Sequence, residues 1–228
     1  MNVGIILYVK IEEELNTKFR GLKAEYVIIE CVDVRRENQK LAEFKSEVFE
    51  RVKGRWTLDQ LRENPIFRAY RDFFWRIGVD PTKIRPASEA LIRRALRGRS
   101  IPNINTLVDA YNLASIDSGI PLAAFDKDKI AGELFMREAV AKEEFYGIGM
   151  DKPVILKGGE VVLEDGEKLV AIYPYRDADI SKITLNTRNL LLMICGVPNI
   201  DDSKIEEAKD LGVRYVQHFC GGVVSRKG

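Results

Sequence analysis

The sequence predicts an α/β (α+β) fold, a mixed β-sheet with packed helices, on three observations. The chain opens β–α–β, residues 39–98 carry successive capped amphipathic helices, and residues 133–175 alternate at period two around an Asp-Gly turn. With 228 residues, 46% of them hydrophobic and 31% charged, the chain can bury a full core. No internal repeat, low-complexity tract or linker divides it, so residues 1–228 are expected to form one compact unit.

The elements follow in order. Val3 to Ile11 reads as a strand, Glu12 to Leu22 as a short helix and Glu25 to Val34 as an apolar, β-branched strand central in a sheet. A long helix follows, with Leu41, Phe44, Val48 and Val52 on one face. Thr57 with Gln60 forms a capping box for a short helix. Asn64 and Pro65 open another, whose apolar stripe from Ile66 to Ile77 reads as core, closed by Gly78. Ser88 is the expected cap of a third, closed by Gly98. Asn105 to Ser118 reads as helix and Pro121 to Asp126 as extended chain. Strands are expected over Glu133–Val140 and Val154–Leu163, then a hairpin through Asp165-Gly166 and a returning strand over Leu169–Tyr175. The chain closes as strand (Asn189–Val197), helix (Ser203–Leu211) and strand (Arg214–Phe219).

Composition excludes several kinds of chemistry. Cys31, Cys195 and Cys220 are odd in number and unpaired by any CxxC spacing, which favours buried thiols over a disulfide framework or zinc site. His218 is the single histidine, expected as a core residue of the strand YVQHF. The apolar run Val3–Val9 lacks a basic leader and is too short to span a bilayer, so a cytoplasmic protein without membrane contact is expected. Phosphate-loop, HExxH, zinc-deaminase and GxSxG patterns are missing, and Gly158-Gly159 and Gly221-Gly222 read as turns. Neither metal nor cofactor is expected.

Charge is uneven. The net is +1, yet residues 51–100 hold 13 Lys or Arg against 5 Asp or Glu, a local +8 balanced by −7 elsewhere. Arg68, Arg71, Lys83, Arg85, Arg93, Arg94, Arg97 and Arg99 therefore form either a phosphate-binding shoulder or a solvated helix face with pairs such as Asp72 and Arg76.

A second feature is polar residues within apolar segments. Asn105, Asp109 and Asn112, spaced i, i+4, i+7, share one helical face, with Ser115 and Asp126 further on. Such a row either presents donors and acceptors to a planar polar ligand, an ester or a ribose, or ties neighbouring loops down through main-chain hydrogen bonds. Arg176-Asp177, after Tyr173 and Tyr175, is either an ion pair or part of a pocket rim.

Residues 64–98 and 101–132 resemble the B3/B4 domain of the phenylalanyl-tRNA synthetase β subunit, and more closely its free-standing bacterial and archaeal relatives. The fingerprint is Asn105-x-x-x-Asp109-x-x-Asn112, a proline, then Phe125-Asp126. Weaker similarity runs through Gly159-Glu160, Asp165-Gly166, Arg176-Asp177 and TLNTRNLLL to about residue 195. The resemblance implies an editing fold that binds the aminoacylated acceptor end of tRNA and cleaves a wrongly attached amino acid by positioned water, without metal or covalent nucleophile.

On that basis Asn112, Asp109 and Asp126 are the expected catalytic residues. Asn105, Tyr111, Ala123, Glu160, Arg176, Asp177 and Met193 are expected to bind substrate, and Arg71, Lys83, Arg85, Arg93 and Arg94 to grip tRNA. Asn112 matches the family's pocket asparagine, while Tyr111 stands for its threonine, Ala123 for its histidine and Met193 for the glutamate that recognises a tyrosine hydroxyl. Losing those polar partners argues against tyrosine editing and for a smaller or more apolar aminoacyl group. The expected function is a trans-acting aminoacyl-tRNA deacylase. The alternatives are a non-catalytic tRNA-, RNA- or amino-acid-binding module and a small-molecule enzyme.

Overall fold

The computed structural model describes residues 6–225. In chain order the strands are β1 (Leu7–Tyr8), β2 (Lys10–Ile11), β3 (Lys23–Glu30), β4 (Leu122–Asp126), β5 (Phe135–Glu138), β6 (Glu144–Phe145), β7 (Val154–Ile155), β8 (Val161–Glu164), β9 (Leu169–Ile172), β10 (Arg176–Asp177), β11 (Leu190–Gly196) and β12 (Val223–Val224). The α-helices are α1 (Glu13–Lys18), α2 (Gln39–Arg55), α3 (Leu58–Glu63), α4 (Pro65–Arg76), α5 (Ala87–Leu96), α6 (Thr106–Ser118) and α7 (Asp202–Cys220). One sheet runs β1-β3-β11-β4 with β12 also on β3, a second runs β10-β9-β8-β5-β2, and β6 pairs with β7. The β2–β5 pairing is parallel within an otherwise antiparallel second sheet, so the architecture is mixed α and β, as predicted.

Local chemistry sets most boundaries. Asn38 caps α2 by accepting from the Leu41 N–H, Thr57 and Gln60 complete the capping box of α3, and Asn64 with Pro65 starts α4. At the β8–β9 hairpin Gly166 has φ +87°, and the Asp165 carboxylate accepts the Glu167 and Lys168 N–H groups. One hydrophobic core joins both larger sheets to the helices, with Val48, Phe73, Leu113, Leu163, Leu192 and Val216 all contributing. Val161 and Leu163 face that core, whereas Val162 turns to a smaller cluster with Phe145 and Leu156.

Six expectations are corrected. The first strand is two short ones: the Val9 N–H bonds Ala24 and that of Lys10 bonds Leu134, so the segment passes from one sheet to the other. Residues 3–5 of that expected strand lie outside the described residues. The strand over 154–163 is interrupted where Gly158 and Gly159 adopt φ +95° and +86° and Glu160 accepts the Lys157 and Gly158 N–H groups.

Ser88 does not cap α5. That helix starts after Pro86, and the Ser88 hydroxyl donates instead to the Gly119 carbonyl at 2.7 Å, tying α5 to the end of α6.

The closing helix–strand pair is the single helix α7. Ile205, Ala208, Lys209, Gly212, Tyr215, Val216, Phe219 and Cys220 are its buried positions, a helical period running through Gly212. Glycine is needed there because a Cβ would sit 2.6 Å from Leu122 Cδ2 and 3.0 Å from Leu192 Cδ2. His218 is consequently exposed on α7 rather than buried in a strand, and Cys31 is exposed while Cys195 and Cys220 are buried.

Candidate functional site

Helix α6 is apolar and enclosed nearly all round, so polar side chains on it need a partner or a purpose. Asn105 is its N-cap, accepting from the Val108 N–H at 2.9 Å. Asp109 accepts from the Ile104 N–H at 3.1 Å and lies 3.6 Å from the Lys45 ammonium. Lys45 also donates to the Ile101 carbonyl and the Asn103 amide oxygen, so this cluster fixes the loop before α6. Burial raises the Asp109 carboxyl above its ordinary value, against the Ile104 N–H and Lys45. Asp109 also lines a cleft of about 250 Å³ with Asn38, Lys45 and Asn103.

Asn112 is placed differently. It is half-buried, and its side chain makes no hydrogen bond among the described residues. Its neighbour Tyr111 is close enough to Asp177, Cys195 and Asp109 for their charges, after burial, to raise its phenol well above the ordinary range. Asp177, at the end of β10, is pushed up to about 7 by burial, with Arg176 opposing. Behind this group the Tyr70 hydroxyl donates to the Cys195 carbonyl at 2.5 Å and the Tyr173 hydroxyl to the Gly196 carbonyl at 2.8 Å. These bonds fix the end of β11, and burial raises the Cys195 thiol.

The sheet brings Ala123 and Met193 together. Met193 lies between Ala123 on β4 and Tyr26 on β3, so the three are cross-strand neighbours on one face. Met193 is buried and Ala123 half-buried. At the end of β4, Asp126 accepts from the Thr187 hydroxyl at 2.8 Å and the Asp128 N–H at 3.2 Å, fastening the turn before β11. Glu160 is committed to its own turn, and the exposed Arg176 lays its aliphatic stem against Gly147.

The arginines divide into two sets. Lys83, Arg85, Arg93, Arg94, Arg97 and Arg99 line one groove of about 260 Å³ with Ala90 and no acidic side chain in its lining. Arg71 is not in it. Its guanidinium bonds the buried Glu89 carboxylate at 2.9 Å and the Arg62 carbonyl, and Glu89 also accepts from Arg93 at 2.8 Å. Arg94 donates twice to the Ser100 carbonyl, whereas Lys83 is exposed with Asp80 3.9 Å away. The sequence assigns no role to Lys45 or Glu89, and gives Tyr70 only as a core stripe residue and Tyr173 only as a neighbour of Arg176-Asp177. Only Glu89 carried a signal, as the lone acid of an arginine-rich helix four residues before Arg93.

Comparison with known proteins places these elements. The chain is similar to the phenylalanine–tRNA ligase β subunit of Fusobacterium nucleatum subsp. nucleatum, at 31% identity over 104 residues, which are 45% of this chain and 13% of that protein. It is similar to that of Malacoplasma penetrans at 29% over 143 residues, 62% of this chain and 18% of that protein. For Geobacter metallireducens the values are 34% over 110 residues, 48% and 14%. The chain thus spans less than a fifth of each of these relatives. Among solved structures, an N-terminal fragment of the phenylalanyl-tRNA synthetase β-subunit from Pyrococcus horikoshii aligns with a TM-score of 0.48 and 14% identity, over 95% of this chain and 50% of that one. No helix among the described residues is long and apolar enough to cross a membrane. Residues 69–221, more than half of the chain and including α6, β4, β10 and β11, match the B3/4 domain model, and the chain belongs to the B3/4 domain family.

Proposed function

We propose that this chain is a trans-acting, cytoplasmic deacylase of mischarged aminoacyl-tRNA, working as one compact unit. The observation that carries the reading is the groove lined by six cationic side chains, of which Arg93 is held by Glu89 and Lys83 lies near Asp80, in a family whose relatives here are tRNA ligase subunits. Guanidinium forks match phosphate oxygens, and Arg85, Arg94, Arg97 and Arg99 have no acid paired with them among the described residues. Lys83, Arg85, Arg93 and Arg94, joined by Arg97 and Arg99, grip the acceptor end. Arg71 acts through Glu89, holding the carboxylate that orients Arg93.

The ester is received beside Asn112, whose amide is uncommitted and can donate to the oxygen that becomes negative as water adds to the carbonyl. Asp177, raised toward neutrality next to Tyr111, takes the proton of the attacking water and returns it to the departing ribose oxygen. Asp109, Asp126 and Asn105 act as positioning residues, since each fixes main chain at an end of α6 or β4. Arg176 and Glu160 stand at the rim. Ala123 and Met193 give the aminoacyl side chain an apolar wall, which suits a small or apolar group and gives no partner to a hydroxyl.

A non-catalytic tRNA-binding module is the second reading. It is favoured by the same apolar Ala123–Met193 pair and by the commitment of Asn105, Asp109 and Asp126 to structural hydrogen bonds. A panel of mischarged tRNAs assayed in parallel for filter binding and for release of the amino acid separates the two. Release from at least one tRNA establishes the deacylase, binding without release establishes the module, and neither binding nor release overturns both.

A further inference from the structure

A cavity of about 580 Å³ opens between α2, α6 and α7, and neither the arginine groove nor Tyr111, Asn112 or Asp177 contributes to its lining. Its size is that of a small-molecule site. Its walls are aromatic: Phe44 stands edge-on to Tyr215 at 4.9 Å and tilted against Phe219 at 5.3 Å, and Trp56 also lines it, with the Arg51 guanidinium over the Phe44 ring at 5.3 Å and that of Arg55 over the Trp56 ring at 4.9 Å. Val52 and Ile116 supply the buried apolar floor.

The charges around it do not balance. Asp117 is engaged through one carboxylate oxygen, which accepts from Arg51 and from the Tyr215 hydroxyl at 2.6 Å each, while its carbonyl takes Arg55 at 3.0 Å. Glu207 is paired with Lys204 at 2.8 Å. Arg214 has no hydrogen bond or ion pair among the described residues, and its guanidinium sits 5.8 Å from the centre of the Tyr215 ring. Arg214, and Arg55 with only a main-chain carbonyl as acceptor, therefore bring positive charge without an acid to an aromatic slot whose two acids are already engaged.

We propose that this cavity binds a small planar aromatic anion, its ring in the slot among these aromatic and guanidinium groups and its negative group on Arg214. Aromatic walls favour stacking of a flat ring, and Arg214 offers a fork of donors that a carboxylate fits. The reading is independent of the tRNA proposal.

The test uses the intact chain and 2-naphthoate as probe, with 2-naphthamide as its neutral counterpart, titrated by ligand-observed NMR. Expected are saturable binding of 2-naphthoate, at least about tenfold weaker binding of 2-naphthamide, and a loss of about tenfold for Arg214→Gln, in line with a charge-assisted hydrogen bond. Lys129→Gln, a remote exposed cation, should leave the affinity unchanged. Equal affinity for the amide, an unaffected Arg214→Gln protein, or no saturation at millimolar probe each overturns the proposal.

Discussion

Replacing Asp177 by asparagine should make the protein more stable at neutral and alkaline pH. Burial lifts its carboxyl from the ordinary 3.8 to about 7. In the unfolded chain the group ionises near its ordinary value, so below about pH 4 both states hold the proton and the side chain costs nothing. Between about pH 4 and 7 the unfolded chain releases the proton while the folded one keeps it, and stability falls as pH rises. Above 7 the full penalty is present. A tenfold change in proton affinity is about 1.4 kcal/mol, which sets a ceiling of about 4 kcal/mol, and partial solvation of the half-buried side chain reduces the expected gain to about 1–2 kcal/mol. Asparagine keeps the shape and removes the charge. Urea unfolding of both proteins at pH 4, 6 and 8 should show curves that coincide at pH 4 and diverge by pH 8, with the variant the more stable. A gain that persists at pH 4, or none at pH 8, refutes the reasoning. If Asp177 also moves the proton in catalysis, the stabilised protein should lose turnover while retaining tRNA binding.

Glu89→Gln should cost about 3 kcal/mol in urea unfolding, since the buried carboxylate holds Arg71 and Arg93 together and its loss leaves both without an ionic partner. Gly212→Val should cost about 1–3 kcal/mol and lower the melting temperature, because the new side chain meets Leu122 and Leu192. If about four phosphates are gripped by the groove, tRNA affinity should drop about 50-fold between about 50 and 200 mM salt, and Arg85→Ala should reduce the logarithmic slope by about 0.7. Filter binding across that range checks both numbers.

The sequence carries most of the helical half because its signals are local. Thr57 with Gln60, Asn64 with Pro65 and the stripe through Phe67, Tyr70 and Phe74 act within one or two turns, and the structure places each as expected. The misreadings arise where a distant contact decides. Val213, Tyr215 and Val216 favour strands and Gly212 suggests a turn, yet packing on Leu122 and Leu192 makes the segment helix. Ser88 has the chemistry of a cap, but a carbonyl 31 residues away takes its hydroxyl.

The candidate site divides along the same line. The spacing of Asn105, Asp109 and Asn112 puts them on one face, but only the folded chain shows that the first two are occupied by nearby main chain while Asn112 is free. Composition reveals an arginine-rich segment. Sorting Arg71, held by Glu89 outside the groove, from the residues that line it requires the packing of α4 against α5.

The most direct measurement of the deacylase reading is the rate of amino-acid release from a mischarged tRNA by the Asn112→Ala protein beside the unaltered chain. Loss of a donor to the developing oxyanion predicts a rate lower by about a hundredfold or more with tRNA affinity unchanged. Release at the unaltered rate by Asn112→Ala would contradict the placement of the ester at Asn112, and with it the proposed chemistry.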